Sequence, residues 1–415
     1  MGNTPFHSTP TIEKLQGSLV VDHTYSKHTS QKLKSLLAHG VVRTLGAYNG
    51  QQAIQYVKAG LQALYVSGWQ VAAAANTSGE MYPDQSLYPV DSVPRVVYGI
   101  VQSLLRADKI QHLDAVDHGN GCLMLGARPS HDYLVPLIAD GEAGFGGALN
   151  AFELTRKMIE AGAAGIHFED QVASEKKCGH LGGKVLVPTS QFLRTLHAAR
   201  LAAAVENCPD FVLIARTDAE SAQWISSNVD PYDKEFILEE RSPEGFYRFR
   251  NGIEACIARG LAYAKVADMV WFETSTPNVA VAQQFADAIH AQFPGYPLAY
   301  NCSPSFHWRG HLSEAELDTF QQQLGDMGYR FQFITLAAYH ATNLACFDLA
   351  HGYLEKGMAA YAQLQQQEFA RGSQGYTGVR HQQEVGTAYF DAVSEALGNT
   401  TTRALSTSTE KAQFH

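Results

Sequence analysis

Excess positive charge is what this sequence most plainly lacks: 31 Lys and Arg residues stand against 41 Asp and Glu in a chain of 415, a formal net charge of -10. Without a basic stripe to neutralise phosphates or an anionic leaflet, the chain is expected to bind neither nucleic acid nor a membrane surface. No apolar run reaches the ~18 residues that span a bilayer, and the first ten residues carry neither an apolar core nor a cleavage pattern, so export is not expected. Phe6 stands where a myristoylation signal wants Ser or Thr, and the tail Gln413, Phe414, His415 is no peroxisomal address. The six cysteines (Cys122, Cys178, Cys208, Cys256, Cys302 and Cys346) have no paired spacing. That is the pattern of reduced thiols and points to a cytoplasmic protein. Repeats of fixed period and low-complexity tracts are missing too, which sets aside solenoids and arrays.

What is there is apolar residue in quantity: 45% hydrophobic against 17% charged, enough to bury a large core. Short apolar runs occur at 42–45, 64–66, 135–138, 165–168, 211–215, 269–272, 297–300 and 331–334. Stretches with apolar residues at helical spacing separate most of them, among them 151–163, 189–206, 252–264 and 279–290. Runs that are continuously apolar rather than alternating suit strands buried on both faces. Eight such units predict a TIM-type (β/α)8 barrel of the α/β class.

Polar residues crowd the positions at the ends of these runs: Ser67, Asp140 with Glu142, His167 with Glu169, Arg216 with Asp218, Glu273, Asn301 with Ser303, and Thr335. In a barrel those positions form one rim, so residues far apart in sequence converge on one mouth. Three segments lie outside the plain pattern. Residues 1–40 read as an N-terminal helical segment. The barrel is expected over 41–347, with a glycine-hinged loop at 171–188 and an inserted lobe at 226–252. Residues 348–415 read as a C-terminal helical region and tail, helical over 348–371.

Asp140 and Glu142 stand two residues apart in a run with Gly141, Gly144, Gly146 and Gly147. Hard oxygen ligands without paired Cys or His suit magnesium, or manganese, rather than zinc, and Glu169 and Glu273 on other strand ends add to the set. The plain alternative is a glycine-rich turn with solvated carboxylates. A nucleotide loop is excluded, because the segment lacks the six-position dinucleotide spacing and a Walker lysine.

The loop places Cys178 and Gly179 among Lys176, Lys177, His180 and Lys184. Cationic neighbours predict a lowered thiol pKa, useful for proton transfer near neutral pH. An incidental surface thiol is the bland reading, and the Cys-Gly-His spacing is too tight for a zinc half-site. Arg216 can fork onto a substrate carboxylate or pair with Asp218. Asn301, Ser303, Ser305 and His307 offer an amide, hydroxyls and an imidazole on one turn, and Ser67, Gly68 and Trp69 add a hydroxyl and close backbone. His167 reads as a satisfied core histidine or as a supporting group. Together these describe a small polycarboxylate whose carbon–carbon bond breaks through an enolate-like intermediate.

Residues 176–181 (Lys-Lys-Cys-Gly-His-Leu) closely resemble the isocitrate lyase family, within the superfamily that also holds methylisocitrate lyase and phosphoenolpyruvate mutase. Residues 67–70, 82–89, 140–147, 215–220 and 301–306 resemble that family's motifs as well, and the likeness runs from about Gly46 to the end. The resemblance implies Mg2+-dependent retro-aldol cleavage of isocitrate to glyoxylate and succinate, the first step of the glyoxylate bypass beside the tricarboxylic acid cycle. It implies a metal centre at Asp140, with Asp84, Glu142 and Glu169 near it through water. Glyoxylate is expected near Ser67, Gly68, Trp69 and Arg216. Succinate is expected near Asn301, Ser303, Ser305, Thr335, Gly179 and His180, with Cys178 transferring a proton at its carbon. Tyr65 is the implied base for the substrate hydroxyl, and Lys176, Lys177, His167 and Glu273 are supporting groups. A barrel with a terminal helix swapped in a homotetramer is also implied. Ala74 and His307 depart from the family pattern, where Asp and Asn are usual. The rival reading is a 2-methylisocitrate lyase, for which Trp271, Phe333 and Thr335 look too bulky. A different class, an inactive barrel retained as a binding subunit, predicts loss of the thiol or carboxylates, and Cys178, Asp140 and Glu142 are all present.

Overall fold

The computed structural model describes residues 8–117, 131–399, 401–405 and 408–409; Cys122, the first seven residues and the tail at 413–415 lie outside them. Twelve strands are found among the described residues: β1 (Val42–Leu45), β2 (Leu64–Val66), β3 (Leu137–Asp140), β4 (Gly165–Glu169), β5 (Val185–Leu186), β6 (Val212–Thr217), β7 (Trp224–Ile225), β8 (Ile237–Arg241), β9 (Tyr247–Phe249), β10 (Met269–Phe272), β11 (Leu298–Asn301) and β12 (Tyr329–Ile334). Eight of them form one sheet in the order β1-β12-β11-β10-β6-β4-β3-β2, every neighbouring pair parallel. Its two edges meet where Gly46 bridges Tyr65 in parallel and the Ala47 N–H donates to the Tyr65 carbonyl at 2.9 Å. That closure makes the α/β barrel, with strands at the eight places the apolar runs predicted and bounds shifted by one or two residues.

The barrel's apolar centre comes from residues two apart along a strand, which share a face. Val212 and Ile214, Met269 and Trp271, and Phe331 and Phe333 are buried there with Tyr65, Ile138 and Ala299. Trp271 meets the Phe333 ring edge-on at 5.0 Å, and Tyr65 stacks on Phe333 at 4.6 Å, so bulky rings plug the interior below the mouth. Helices Ala148–Ala161, Thr189–Val205, Ile253–Tyr263 and Val279–Gln292 follow the helical spacing of the sequence.

The chain separates into two compact units. The first takes in the stretches ending at Tyr48, Ala63–Tyr98 and Pro136–Ala337, and it contains all eight barrel strands and every candidate site residue. Within it a second, four-stranded sheet runs β5-β7-β9-β8, and the stretch expected as a lobe, 226–252, supplies β8 and β9 while β7 lies just before it. One of those strands, β5, belongs to the expected loop and pairs in parallel with β7, a link the sequence did not suggest. The second unit comprises Asn49–Gln62, Gly99–Val135 and the stretch from Ala338. In it the Asn49 side chain caps helix Gly50–Lys58, and Lys58 Nζ donates to both oxygens of Glu384, at 2.6 and 2.7 Å. Its long helical stretch is two helices, Ala337–Lys356 and Met358–Arg371, because Gly357 at φ 56° interrupts the hydrogen-bond ladder where one helix was expected.

Candidate active site

Strand ends β2, β3 and β4 supply the acidic side of the mouth. Asp140, the last residue of β3, is held by two backbone donors: the Gly68 N–H reaches Oδ2 at 2.9 Å and the Glu142 N–H reaches Oδ1 at 2.9 Å. Glycine at 68 is required by contact, since a Cβ there would strike the carboxylates of Glu142 and Asp140 and the Tyr88 hydroxyl. Glu142 adopts φ 53°, and its carboxylate is fixed by Ser86 Oγ at 3.0 Å and by the Tyr88 hydroxyl. Neither Ser86 nor Tyr88 was singled out for chemistry in the sequence; both lie in the 82–89 stretch, and a turn preceding a helix gives no periodic signal.

The loop lies over this side. Gln171 pins it, donating from Nε2 to the Lys177 carbonyl at 2.8 Å and accepting from the Lys177 N–H at 3.0 Å. Lys176 is buried, with its ammonium paired to Asp84 and Glu142 and 3.9 Å from Glu169. Burial, with Asp84 beside it, pushes the Glu142 carboxyl up, and burial pushes Glu169 up as well. The cluster therefore carries more acid than Lys176 neutralises. Its donors are hard carboxylate oxygens, a set that suits a small divalent cation, and the lysine is a positive charge already standing among them. Among the described residues no three His, Cys, Asp or Glu side chains are close enough to hold a metal as they stand.

Cys178 differs from the sequence expectation. Its thiol is pushed up to about 12, not lowered, because burial dominates and Asp84 adds to it; the His180 N–H, Lys176 and Arg216 pull the other way and lose. The cations counted around it in sequence are committed elsewhere. Lys184 Nζ donates to Asp218 at 2.8 Å and Ser221 at 2.9 Å, and Lys177 Nζ donates to the Glu175 carbonyl at 3.1 Å. Cys178 is thus a protonated thiol near neutral pH.

Arg216 forks onto Asp218, Nε to Oδ2 at 3.0 Å and NH2 to Oδ1 at 2.9 Å, with NH1 3.1 Å from Glu169 and the guanidinium 4.7 Å over the Trp271 ring. Of the two readings of Arg216, the pair with Asp218 is the one seen here. Tyr65 and His167 are hydrogen-bonded at 2.7 Å, with His167 Nε2 3.5 Å from Asp140. Burial and then Asp140 push Tyr65 well above its ordinary value, so it rests as a protonated phenol hydrogen-bonded to His167.

On the far side, Gly179 packs so closely on Glu273 that a Cβ would overlap its carboxylate. Glu273 lies 3.8 Å from His180 and accepts from Asn301 at 3.2 Å. His180 Nε2, Glu273 Oε2 and Asn301 Oδ1 are buried without a hydrogen-bond partner. Ser303 is buried, while Ser305 is exposed and bonds back to Ser303 through its own N–H at 3.1 Å. Ser67 is buried at the start of helix Gly68–Ala74; Trp69 and Thr335 are half-buried. The structure thus gathers Asp84, Asp140, Glu142, Glu169 and Lys176 on one side and Gly179, His180, Glu273 and Asn301 on the other, with Cys178 between them in the chain. Lys177 stays outside both groups, and Ser305 is reached only from the exposed turn beside Ser303.

Comparison with known proteins follows the same line. A profile described as the isocitrate lyase family matches residues 4–243 and 239–414. The chain is similar to isocitrate lyase of Halalkalibacterium halodurans, 58% identical over 406 residues, covering 97% of this chain and 92% of the relative. Isocitrate lyase 1 of Mycobacterium tuberculosis is 52% identical over 415 residues, covering 99% of this chain and 94% of the relative. Among solved structures, oxaloacetate acetylhydrolase with the inhibitor 3,3-difluorooxalacetate superposes at TM-score 0.61 and 24% identity, covering 92% of this chain and all of that one. A 2,3-dimethylmalate lyase superposes at TM-score 0.59 and 21% identity, covering 90% and 96%. At such identities the two structures speak for the fold alone.

Proposed function

The chain belongs to the isocitrate lyase family, and from that premise we propose how its own residues carry out the cleavage. It is a carbon–carbon lyase that splits isocitrate into glyoxylate and succinate, the opening reaction of the glyoxylate bypass. The observation that carries the residue assignment is the position of the loop, whose Lys176 is buried against Asp84 and Glu142 and brings the Cys178 thiol to the strand-end carboxylates.

Asp84, Asp140, Glu142 and Glu169 are the residues that would hold Mg2+, with Mn2+ as the alternative. When bound, the ion supplies Lewis-acid stabilisation of negative charge on oxygen as the carbon–carbon bond breaks. The Ser67 hydroxyl orients the glyoxylate end, with Gly68 and Trp69 beside it, and Arg216 presents a fork fixed by Asp218. Asn301, Ser303, Ser305, Thr335, Gly179 and His180 take the succinate end, where the unpartnered Asn301 Oδ1 and His180 Nε2 are polar atoms that a ligand would satisfy.

Cleavage passes the proton of the substrate hydroxyl to the Tyr65 oxygen as Tyr65 hands its own proton to His167 Nε2, forms the aldehyde of glyoxylate and leaves the electron pair on the succinate carbon. Cys178 delivers its thiol proton to that carbon. A thiol held at about 12 is fully protonated before the step, which suits a donor to a carbanion-like carbon. In the reverse direction the thiolate takes the proton back. Tyr65, protonated at rest and bonded to His167, stands beside Asp140 for that transfer. Trp271, Phe333 and the guanidinium of Arg216 fill the floor of the mouth, which disfavours an added methyl group and so the 2-methylisocitrate reading.

Exposed apolar side chains on the C-terminal helices, Leu344, Phe347, Tyr353, Leu354 and Met358, support a homotetramer in which copies of this chain cover them. The five described cysteines are free and, among the described residues, no helix is long and apolar enough to cross a membrane; free thiols support a cytoplasmic location. The deciding assay follows glyoxylate released from isocitrate in Mg2+. Cys178→Ser is expected to lower turnover by about 10²- to 10⁴-fold, and unchanged turnover overturns the role given to Cys178.

A further inference from the structure

A second buried charge cluster lies behind the loop, around Arg259 of helix Ile253–Tyr263, which is 2% exposed. NH1 of Arg259 donates to Asp170 Oδ2 at 2.8 Å and to the Tyr263 hydroxyl at 3.1 Å. NH2 donates to the Val187 carbonyl at 3.1 Å and to Asp233 Oδ1 at 2.8 Å. The guanidinium lies 5.4 Å over the Phe249 ring of β9.

These partners share a location. Asp170 and Val187 are the two feet of the loop: the Val187 N–H donates to the Asp170 carbonyl at 2.8 Å, the Val172 N–H to the Val185 carbonyl at 2.8 Å, and Gln171 bridges Leu186 antiparallel. Residues 173–184, with Cys178 among them, leave and return between these two arms. Arg259 grips both arms at their base. Asp170 also fixes the end of β6, accepting from Thr217 Oγ1 at 2.7 Å and the Asp218 N–H at 2.9 Å, and Asp218 in turn forks Arg216 and takes Lys184 from the loop. Asp233 brings in the lobe and accepts from the Thr189 N–H at 2.7 Å, at the start of the helix that follows the loop.

We propose that Arg259 is a positioning residue for the lyase reaction, a clamp that sets the feet of the loop against the end of β6 so that Cys178 and Arg216 keep one relation to each other. Stability alone is a poor account of it, since a buried ion pair is often matched or bettered by apolar residues of the same volume. Geometry is a better one. Two carboxylates and a carbonyl in different directions need the rigid planar fork of arginine, and a lysine reaches only one of them well.

The activity arm of the test rests on the isocitrate lyase reading; the proteolysis arm does not. Full-length wild type, Arg259→Lys and Asp233→Asn are compared in Mg2+ by steady-state kinetics on isocitrate and by trypsin cleavage after Lys177, with and without glyoxylate plus succinate. In folded variants kcat is expected to fall about 10- to 100-fold, with KM moving far less, as a loop displaced by an ångström would cause. Cleavage after Lys177 is expected to quicken about tenfold, with protection by the two products reduced, as a clamp lost from the feet of a lid would cause. A folded variant with wild-type kcat and wild-type cleavage overturns the proposal. So does activity lost only in proportion to the unfolded fraction, with cleavage per folded molecule unchanged. Should Arg259→Lys not fold, Asp233→Asn, which leaves the Asp170–Arg259 pair in place, decides by the same two readouts. A wild type that fails to cleave isocitrate would sink the functional reading, while the trypsin comparison would still judge Arg259.

Discussion

The carboxylate ring under the loop and the Arg259 cluster at its feet are both buried, both acidic in balance and both built on the ends of neighbouring strands, yet they are finished differently. Around Arg259 each carboxylate oxygen is met by the chain's own donors: Asp170 by Thr217, Asp218, Tyr263 and Arg259, and Asp233 by Thr189 and Arg259. In the ring, one lysine serves several carboxylates, Glu142 and Glu169 are pushed up by burial, and polar atoms of His180, Glu273 and Asn301 nearby lack partners. Burial of charge marks both places. The Arg259 cluster leaves one nitrogen, Arg259 Nε, without a partner, whereas three atoms beside the ring are unpartnered, the pattern of a place that a ligand would complete.

The comparison breaks most visibly under Arg259→Met. Removing the one guanidinium that pairs both Asp170 and Asp233 leaves uncompensated buried charge and is expected to cost about 3–5 kcal/mol in urea unfolding. Lys176→Met is expected to cost clearly less once Mg2+ is present, and equal costs would dissolve the distinction. Alkylation of Cys178 comes next. With its thiol at about 12 against an ordinary 9.0, its thiolate fraction near neutral pH is lower on the order of a thousandfold. Labelling followed by peptide mapping should therefore find the exposed Cys346 modified long before Cys178, with the Cys178 rate climbing as pH rises; comparable rates at pH 7 contradict the burial argument.

Metal addition sharpens the contrast from the other side. Mg2+ at a hundred times its Kd should stabilise the protein by about 2.7 kcal/mol in thermal unfolding. Asp140→Asn should remove most of that gain, whereas Asp233→Asn should leave it in place. The smallest effect is one of pH. Glu142 and Glu169 are raised by burial, so their favourable contribution to the metal-free fold is complete below about 4.5 and is lost as pH climbs toward their raised values. Asp218 runs the opposite way: burial opposes its ionisation, but Arg216 and Lys184 hold it below the ordinary range, so its contribution is present at neutral pH and fades in acid. Glu142→Gln should therefore flatten the decline of Tm as pH rises above about 4.5 without metal, and an unchanged slope would show that Glu142 does not titrate there.

Much of the site could be read in the order of residues because barrel strands end in chemistry. Asp140, Glu142, Glu169, Arg216, Glu273 and Asn301 all lie at strand ends, where a rule of position finds them without coordinates. Arg259 could not be found that way. It lies inside a helix that reads as an ordinary amphipathic segment, and its partners Asp170, Val187 and Asp233 are 89, 72 and 26 residues away. The parallel pairing of β5 with β7 escaped for a similar reason, since two-residue strands have no periodicity to detect.

By itself the sequence determined the eight-unit barrel, the rim on which polar groups collect, and the place of the Cys178 loop after the fourth barrel strand, because apolar periodicity and strand-end position are local properties of a chain. Protonation and pairing were decided only by the tertiary structure. Sequence neighbours surrounded Cys178 with cations, but folding sent Lys176 to Asp84 and Glu142 and Lys184 to Asp218, and left the thiol buried. Ionisation depends on which charges lie within a few ångströms and how much water remains, and neither quantity is written along the chain.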